Sequence, residues 1–400
     1  MYRNTYVEIN VNNLKYNIEQ IIQNYPDYKY YFGVVKGNAY GHSDLIAKYL
    51  VESGVNYLVV SSLDEAISIR KGNHDIPILC VEPIDIEYIN QCVKNNITIT
   101  VHDICYLDLL LKSKINGNLK IHIKVDTGMS RLGINNRGDF NIVYNKIKNS
   151  PFLYLEGIFS HFATVGIYDK EWQKQLNNFI DITNDINLKQ VPIVHLGNSI
   201  SLVNHPKISF CNGIRLGIIM YGYIRPSIPV GGLKSKLREL KRNYYSKKYN
   251  LSPVITNLSI NFKPAFSLYS EVIQVKKIKK GDTVSYGAKY VAKGDTTIAI
   301  VPIGYADGIR KSSVGFNVCI NGKKYPIIGD VCMGMIIIQI DDTVKCYDKV
   351  EIIGENNSIF NFSRYVGTSV YEILCNISPF IPRKLIVDGK VSEIDERCLK

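Results

Sequence analysis

Residues 28–42 read YKYYFGVVKGNAYGH. Tyr28 to Val35 is aromatic and β-branched, the composition of a buried strand. Lys36 follows at once, and a Gly37-Asn38-Ala39-Tyr40-Gly41-His42 turn leads into the apolar-periodic run Leu45, Ile46, Tyr49 and Leu50. That places a lysine at the carboxyl end of a strand, where α/β folds put their ligands. Partial desolvation there lowers an ammonium pKa from its usual value of about 10.4 and makes the amine a nucleophile able to form a Schiff base. A solvated lysine closing a strand would look the same in isolation, so the rest of the chain has to decide.

Outward from this stretch, short apolar runs alternate with helical patterns as far as Met220. Eight such runs are read, at 29–35, 57–61, 78–81, 98–101, 119–125, 153–160, 193–196 and 210–214, separated by amphipathic segments such as 63–71, 86–94 and 172–186. Eight β units with helices between them predict a (β/α)8 TIM-type barrel. The reactive side chains fall where that fold would gather them. Lys36 follows the first run, Arg131 lies in the loop after the fifth, His161 ends the sixth, Asn198 and Ser199 follow the seventh, and Arg215 ends the eighth.

Ahead of the barrel, 6–9 reads as a short strand and 14–22 as a helix carrying Ile18, Ile21 and Ile22. That strand has no place among the eight and is open to pairing with a second domain. After Arg225 the pattern breaks into prolines, a Gly231-Gly232 pair and a basic run through Lys234, Lys236, Arg238, Lys241, Arg242, Lys247 and Lys248, read as a solvated, partly helical connector. From Ala265 the texture is strands and hairpins, with strong turn signals at Asn321-Gly322 and Asp388-Gly389. The expected organisation is a barrel over 1–228, a basic connector over 229–264 and a mainly β domain over 265–400.

Composition excludes several classes. The 400 residues are 46% hydrophobic, enough for a large core plus a second unit. The opening MYRNTYVEIN has no apolar signal core, and no run is long enough to span a bilayer, so a soluble, cytoplasmic protein is expected without a membrane partner. Nine scattered cysteines form no C-x-x-C pair and no Cys/His cluster, which points to a reducing compartment and to no structural metal. The formal charge of +12 accompanies a chain-wide richness in Lys, Asn, Ile and Tyr. Codon bias accounts for much of it, and nucleic acid is not the expected partner.

The motifs then converge. VVKGNAYGH resembles the pyridoxal-phosphate lysine motif of alanine racemases. HIKVDTGMSRLG (122–133), the His161-Phe162-Ala163 triplet, His195–Ser199, Arg215–Ile218, Val284–Gly287, Val331–Met333 and Tyr371–Leu374 resemble further motifs of that family, in family order. The resemblance implies pyridoxal 5'-phosphate as cofactor, carried on Lys36, and a two-base interconversion of L- and D-alanine that supplies D-alanine for cell-wall peptidoglycan. Tyr286 would be the second acid/base, reaching the site from the other subunit of a head-to-tail homodimer with shared active sites. Arg131 would meet the cofactor phenolate and the substrate carboxylate, with the Met333 backbone facing the site. Lys124 corresponds to a lysine often carbamylated in the family. His161 would pack on the cofactor ring and bond Arg215, which would face the pyridine nitrogen. Ser199 with the Gly217 and Ile218 backbones would hold the phosphate, beside Asn198, with the Tyr40 and Tyr371 hydroxyls adding donors.

The chain also departs from the family pattern. Ser43 and Ser130 stand for glycines, Gly334-Met335 for Asp-Gln, and Val370 for proline. The change at Gly334 leaves substrate choice open between alanine and serine. Two further alternatives have the same barrel: a decarboxylase, which would pair the pyridine nitrogen with a carboxylate rather than Arg215, and a cofactor carrier, which would lack the β domain.

Overall fold

The computed structural model describes residues 3–72, 75–164, 170–224, 260–396 and the isolated positions Leu237, Leu240 and Tyr244. The basic connector expected over 229–264 therefore lies largely outside the described residues. The chain divides into two compact units, one of Lys15–Lys36 and Ala47–Lys263, the other of Met1–Leu14, Gly37–Ile46 and Pro264–Lys400. The helix expected over 14–22 runs Val11–Asn24.

The first unit is the predicted barrel. With β1 (Tyr6–Asn10) belonging to the other unit, its strands are β2 (Tyr30–Val34), β3 (Tyr57–Val60), β4 (Ile78–Cys80), β5 (Ile97–Val101), β6 (Leu119–Lys124), β7 (Leu153–Phe159), β8 (Ile193–His195) and β9 (Gly213–Leu216). Each pairs parallel with its neighbours, and β9 returns to β2 with Tyr30 opposite Gly213. β2, β3 and β4 are nearly continuous apolar runs because both faces are covered, whereas β5 and β6 alternate apolar with polar residues. Between β8 and β9 the barrel is closed by the Asn212 side chain, whose Oδ1 accepts from Val194 N at 2.9 Å, and by backbone bonds from Asn212 N to Val194 O at 3.1 Å and Arg215 N to Gly197 O at 3.3 Å. The last strand is displaced from its expected span: 210–214 was read, but the strand is Gly213–Leu216, so Arg215 lies inside it. Asn212 is consumed in closure, which a local apolar pattern does not reveal.

The lumen differs from the usual branched aliphatic layers. Tyr57, Thr98, Thr100, His122, Lys124, Glu156, His195 and Arg215 are all buried. Lys120, His122 and Lys124 alternate along β6 at the strand period of two, while Leu119, Ile121 and Ile123 are buried on its other face.

In the other unit, β1 pairs antiparallel with β10 (Phe266–Glu271) and parallel with β19 (Arg383–Val387). Between them in the chain run β11 (Gln274–Ile278), β12 (Thr283–Val284), β13 (Tyr290–Val291), β14 (Thr296–Val301), β15 (Asn317–Ile320), β16 (Lys323–Ile328), β17 (Ile336–Ile340) and β18 (Lys349–Ile353), and β20 (Lys390–Asp395) follows. Ten of these strands make one sheet, ordered β11-β14-β17-β16-β15-β18-β10-β1-β19-β20. The β15–β16 turn has Asn321 at φ 50° and Gly322 at 79°, and the β19–β20 turn has Asp388 at 50° and Gly389 at 75°. Positive φ at both central residues is what tight hairpins demand. Among the described residues, no helix is long and apolar enough to cross a membrane.

Candidate active site

In the barrel unit, Lys36 lies one residue, Val35, beyond the end of β2 and is half-buried. The charges of four basic side chains reach His161: burial first, then Arg215, Lys124, Arg131 and Lys36, hold its imidazole down to about 2, so it is neutral. Arg131 is placed by its loop, where Asp126 Oδ1 accepts from the N–H groups of Gly128, Met129 and Ser130 at 3.0, 2.9 and 3.1 Å and Oδ2 accepts from Arg131 N at 3.0 Å. Four basic side chains around one neutral histidine make a site that calls for an anion, or for the loss of a proton. Lys124 answers the second demand. Burial, Arg215 and Arg131 lower its ammonium to about 7.

Arg215 is held on every side. NH1 donates to His195 Nδ1 at 2.8 Å and His195 O at 2.9 Å; NH2 donates to Ser160 O and Leu196 O at 2.8 Å and to His161 Nδ1 at 3.2 Å. None of these bonds uses Nε. Burial, offset in part by Cys211, lowers the guanidinium to about 10, which leaves it a cation at neutral pH. His195 is stacked between Phe32, at 4.5 Å, and Phe159, at 4.9 Å.

At the loop ends of β8 and β9, Asn198 caps the helix Ser199–Asn204, its Oδ1 accepting from Ile200 N and Ser201 N at 3.1 Å. Asn198 thus spends its carbonyl on the helix. Ser199 Oγ accepts from Gly217 N at 2.8 Å, which ties the two loops together and leaves the hydroxyl proton for a ligand. Ile218 follows Gly217 in the same turn and is buried.

In the β unit, Gly37, Asn38, Ala39 and Tyr40 have φ of 63°, 53°, 52° and 52°, a left-handed turn. Such a conformation costs about 1–2 kcal/mol at each residue other than glycine. The turn persists because it is tied: Ser43 N donates to Asn38 O at 3.1 Å, Asp44 N to Asn38 Oδ1 at 3.2 Å, and Ser43 Oγ to Asp395 Oδ2 at 2.6 Å. Gly41, at φ +77°, lies against the Leu374 carbonyl, where a Cβ would not fit. The Tyr40 ring centroid lies 5.9 Å from that of Tyr371, on the helix Val370–Asn376. Burial raises both phenols, so both are protonated donors.

Tyr286 is 71% exposed in a turn after β12, and Met333 is 62% exposed. Ser285, at φ 65°, donates to Asp330 O at 2.6 Å and lies 3.3 Å from Cys332 Sγ. The Cys332 and Met333 carbonyls accept from Tyr305 N and Ala306 N at 3.0 and 2.9 Å. Gly334 has nothing within 4 Å of a Cβ. No group of three or more His, Cys, Asp or Glu able to hold a metal is found among the described residues.

The barrel unit thus brings Lys36, Lys124, Arg131, His161 and Arg215 to one place, and the β unit holds Tyr40 with Tyr371. Sequence reasoning missed Glu156, His122 and His195 as a group. The signal was there: charged or imidazole side chains in strands otherwise made of Leu, Ile, Val and Phe.

Comparison with known proteins agrees with this geometry. Residues 9–225 match the family model for the alanine racemase N-terminal domain and residues 265–385 that for the C-terminal domain. The chain is 32% identical to alanine racemase 1 of Bacillus subtilis, covering 100% of this chain and 97% of that protein. It is 35% identical to the alanine racemase of Borreliella burgdorferi, over 96% and 98% of the two chains. The crystal structure of alanine racemase from Bacillus anthracis with bound L-Ala-P superposes with a TM-score of 0.86 at 32% identity, over 100% and 99% of the two chains. With both domain models matched in order and relatives aligned essentially end to end, the chain belongs to the alanine racemase family.

Proposed function

We propose that this chain is a pyridoxal-phosphate-dependent alanine racemase working with two bases. The observation that carries the reading is the barrel mouth itself: half-buried Lys36, with Lys124, Arg131 and Arg215, acts on one neutral histidine that Arg215 also hydrogen-bonds. The donor set suits the cofactor. Its anionic groups answer the excess of positive charge, and the Ser199 hydroxyl with the Gly217–Ile218 turn suits its phosphate. Arg215 Nε–H, the guanidinium donor outside the bonds described above, suits an unprotonated ring nitrogen. Bound, the cofactor supplies an electron sink that makes the α-proton of an amino acid removable.

The chain's own groups do the rest. Arg131 is the cation for the substrate carboxylate, and Lys36 Nζ takes or returns the α-proton on one face, serving the D-enantiomer. Tyr286 Oη serves the opposite face and the L-enantiomer, and each base would have to come within about 3 Å of its proton. Its 71% exposure, with Met333 at 62% and Met335 at 46%, suits donation across a head-to-tail homodimer. Lys124, held near neutral pH, offers the free amine that adds carbon dioxide, and a carbamate there would return an anion to Arg131. A cytoplasmic setting goes with eight free cysteines among the described residues. Arg215, in place of a carboxylate, speaks against a decarboxylase, and the β unit against a carrier. Incubation with a panel of L-amino acids and chiral analysis of the products tests the reading. D-alanine should dominate, and absence of any D-product from a cofactor-loaded, folded protein would refute it.

A further inference from the structure

Behind Arg215 the barrel lumen holds a chain of polar groups that the racemisation chemistry does not itself require. His195 Nε2 lies 3.0 Å from His122 Nδ1. His122 Nε2 lies 3.3 Å from Glu156 Oε2. That oxygen also accepts from Tyr57 Oη at 2.6 Å and Thr98 Oγ1 at 2.8 Å, and Lys120 Nζ stands 3.7 Å from Oε1.

The protons along this chain can be assigned from its two ends. A guanidinium only donates. His195 Nδ1, 2.8 Å from Arg215 NH1, must therefore be unprotonated, and its proton sits on Nε2. Nε2–H then donates to His122 Nδ1, which puts the His122 proton on Nε2, 3.3 Å from Glu156 Oε2 but off the line of a full hydrogen bond. The reverse order would face two N–H groups at Arg215. Burial lowers both imidazoles, so neither takes a second proton near neutral pH. Burial alone would raise the Glu156 carboxyl, but His122 and the hydroxyls of Tyr57 and Thr98 hold it below the usual carboxylate range. It is a buried anion.

The backbone is shaped for this placement. Ile121 pairs with Leu155 but His122 pairs with Gly157, so Glu156 is the extra residue of a β-bulge in a parallel pair, where bulges are rare. A Cβ on Gly157 would sit 2.6–2.8 Å from the His122 ring. The glycine makes room for the imidazole, and the bulge re-aims the carboxylate.

We infer that Glu156, acting through His122 and His195, is a positioning residue for Arg215, an internal anion that fixes both imidazoles as Nε2–H tautomers and keeps His195 an acceptor for the guanidinium. The inference rests on the reading that Arg215 faces the cofactor ring. It predicts a graded response. Glu156→Gln keeps an oxygen to accept from His122 and should lower kcat by less than about tenfold, whereas Glu156→Leu removes the acceptor and should lower kcat by on the order of 100-fold. In both, KM for alanine should stay within about twofold, since Arg131 and not Arg215 meets the carboxylate.

Imidazole nitrogen NMR on the cofactor-free protein supplies a readout independent of activity. Wild type should show Nε2–H at His122 and His195, Glu156→Gln should keep both, and Glu156→Leu should show a mixture. Thermal unfolding of Glu156→Gln, nearly isosteric, guards against a folding failure of the leucine variant. An Nδ1–H signal at either histidine in wild type, or wild-type kcat in folded Glu156→Leu, overturns the inference. A wild-type chain that makes no D-product would refute the proposed activity instead, and the tautomer measurement would still decide this one.

Discussion

The two units bury different things. Inside the barrel lie Tyr57, Thr98, His122, Lys124, Glu156, His195 and Arg215, while the β unit packs Val284, Ile298, Ile300, Ile328 and Ile337 against one another. Buried charges are costly unless paired and hydrogen-bonded, so the barrel gives up stability that aliphatic layers would supply. In exchange its groups are oriented before any ligand arrives. The β unit buries charges too, at Arg383, Asp307 and Asp395, but around Val284 and Ile298 it keeps an apolar cluster, and it presents Tyr286 and Met333 on an open surface. The barrel contributes pre-organised electrostatics; the β unit contributes a stable platform that carries Tyr286 and Met333 in the open.

The largest effect should come from removing one base from each side of this division. Lys36→Ala and Tyr286→Ala should each lose at least about 10³-fold in racemisation. Tyr286→Ala should lose α-deuterium exchange from L-alanine far more than from D-alanine. If each site takes its two bases from different subunits, mixing the two inactive proteins should restore about a quarter of wild-type activity, since half the dimers are mixed and each holds one intact site. Mixed dimers that form and stay inactive would show that both bases come from one chain.

Ile298→Ala probes the other side. Emptying part of the apolar core should cost about 2–5 kcal/mol of unfolding free energy while kcat changes little. A large fall in kcat at intact fold would mean that the β unit is as tightly coupled to the chemistry as the barrel, and the contrast would fail.

Lys124 carries the contrast into pH. Its folded pKa of about 7 lies below the unfolded value, so between the two the unfolded chain binds more protons. Stability should therefore rise with pH from about 7 toward about 10.4 through this group, the full penalty being present below pH 7. Lys124→Met should flatten that rise in denaturant titrations at successive pH values. A rise of equal size in the variant would remove Lys124 as its source, and so would a carbamate that stays on the lysine throughout.

Smaller effects follow at the family departures. Gly334 has open space around it, so Gly334→Asp should be accommodated and should sharpen the preference for alanine over serine by about tenfold, read as a ratio of kcat/KM values. An unchanged ratio would separate this position from substrate choice. Ser130 stands for a family glycine at φ 54°, and Ser130→Gly should raise stability by up to about 1 kcal/mol, seen as a small shift in the unfolding midpoint. A loss of stability would mean that the serine side chain is compensating locally.

Much of this molecule was legible in its residues. Eight strand-like runs with helical segments between them announced the barrel, because strands covered on both faces are predominantly apolar. Asn321-Gly322 and Asp388-Gly389 announced hairpins, because few residues tolerate two successive positive φ values. Lys36, Arg131, His161 and Arg215 stood out as polar residues at or just past strand ends, and the resemblance to family motifs is what proposes their chemistry. The last barrel strand was read too early because its start depends on Asn212 closing the ring, a contact between distant segments.

What only the tertiary structure decided is the inside of the barrel. In LKIHIK, alternation says that Lys120, His122 and Lys124 share a face but not whether that face meets water or a lumen. The usual expectation sends it outward. Closure of eight strands turns it inward, and a one-residue bulge that no local pattern signals swings Glu156 in to meet it. Sequence sets which residues lie together along a strand, through the fixed geometry of the backbone. Which of them become partners is set by long-range closure, because a hydrogen bond between His122 and His195 exists only once segments 73 residues apart have been brought to 3.0 Å.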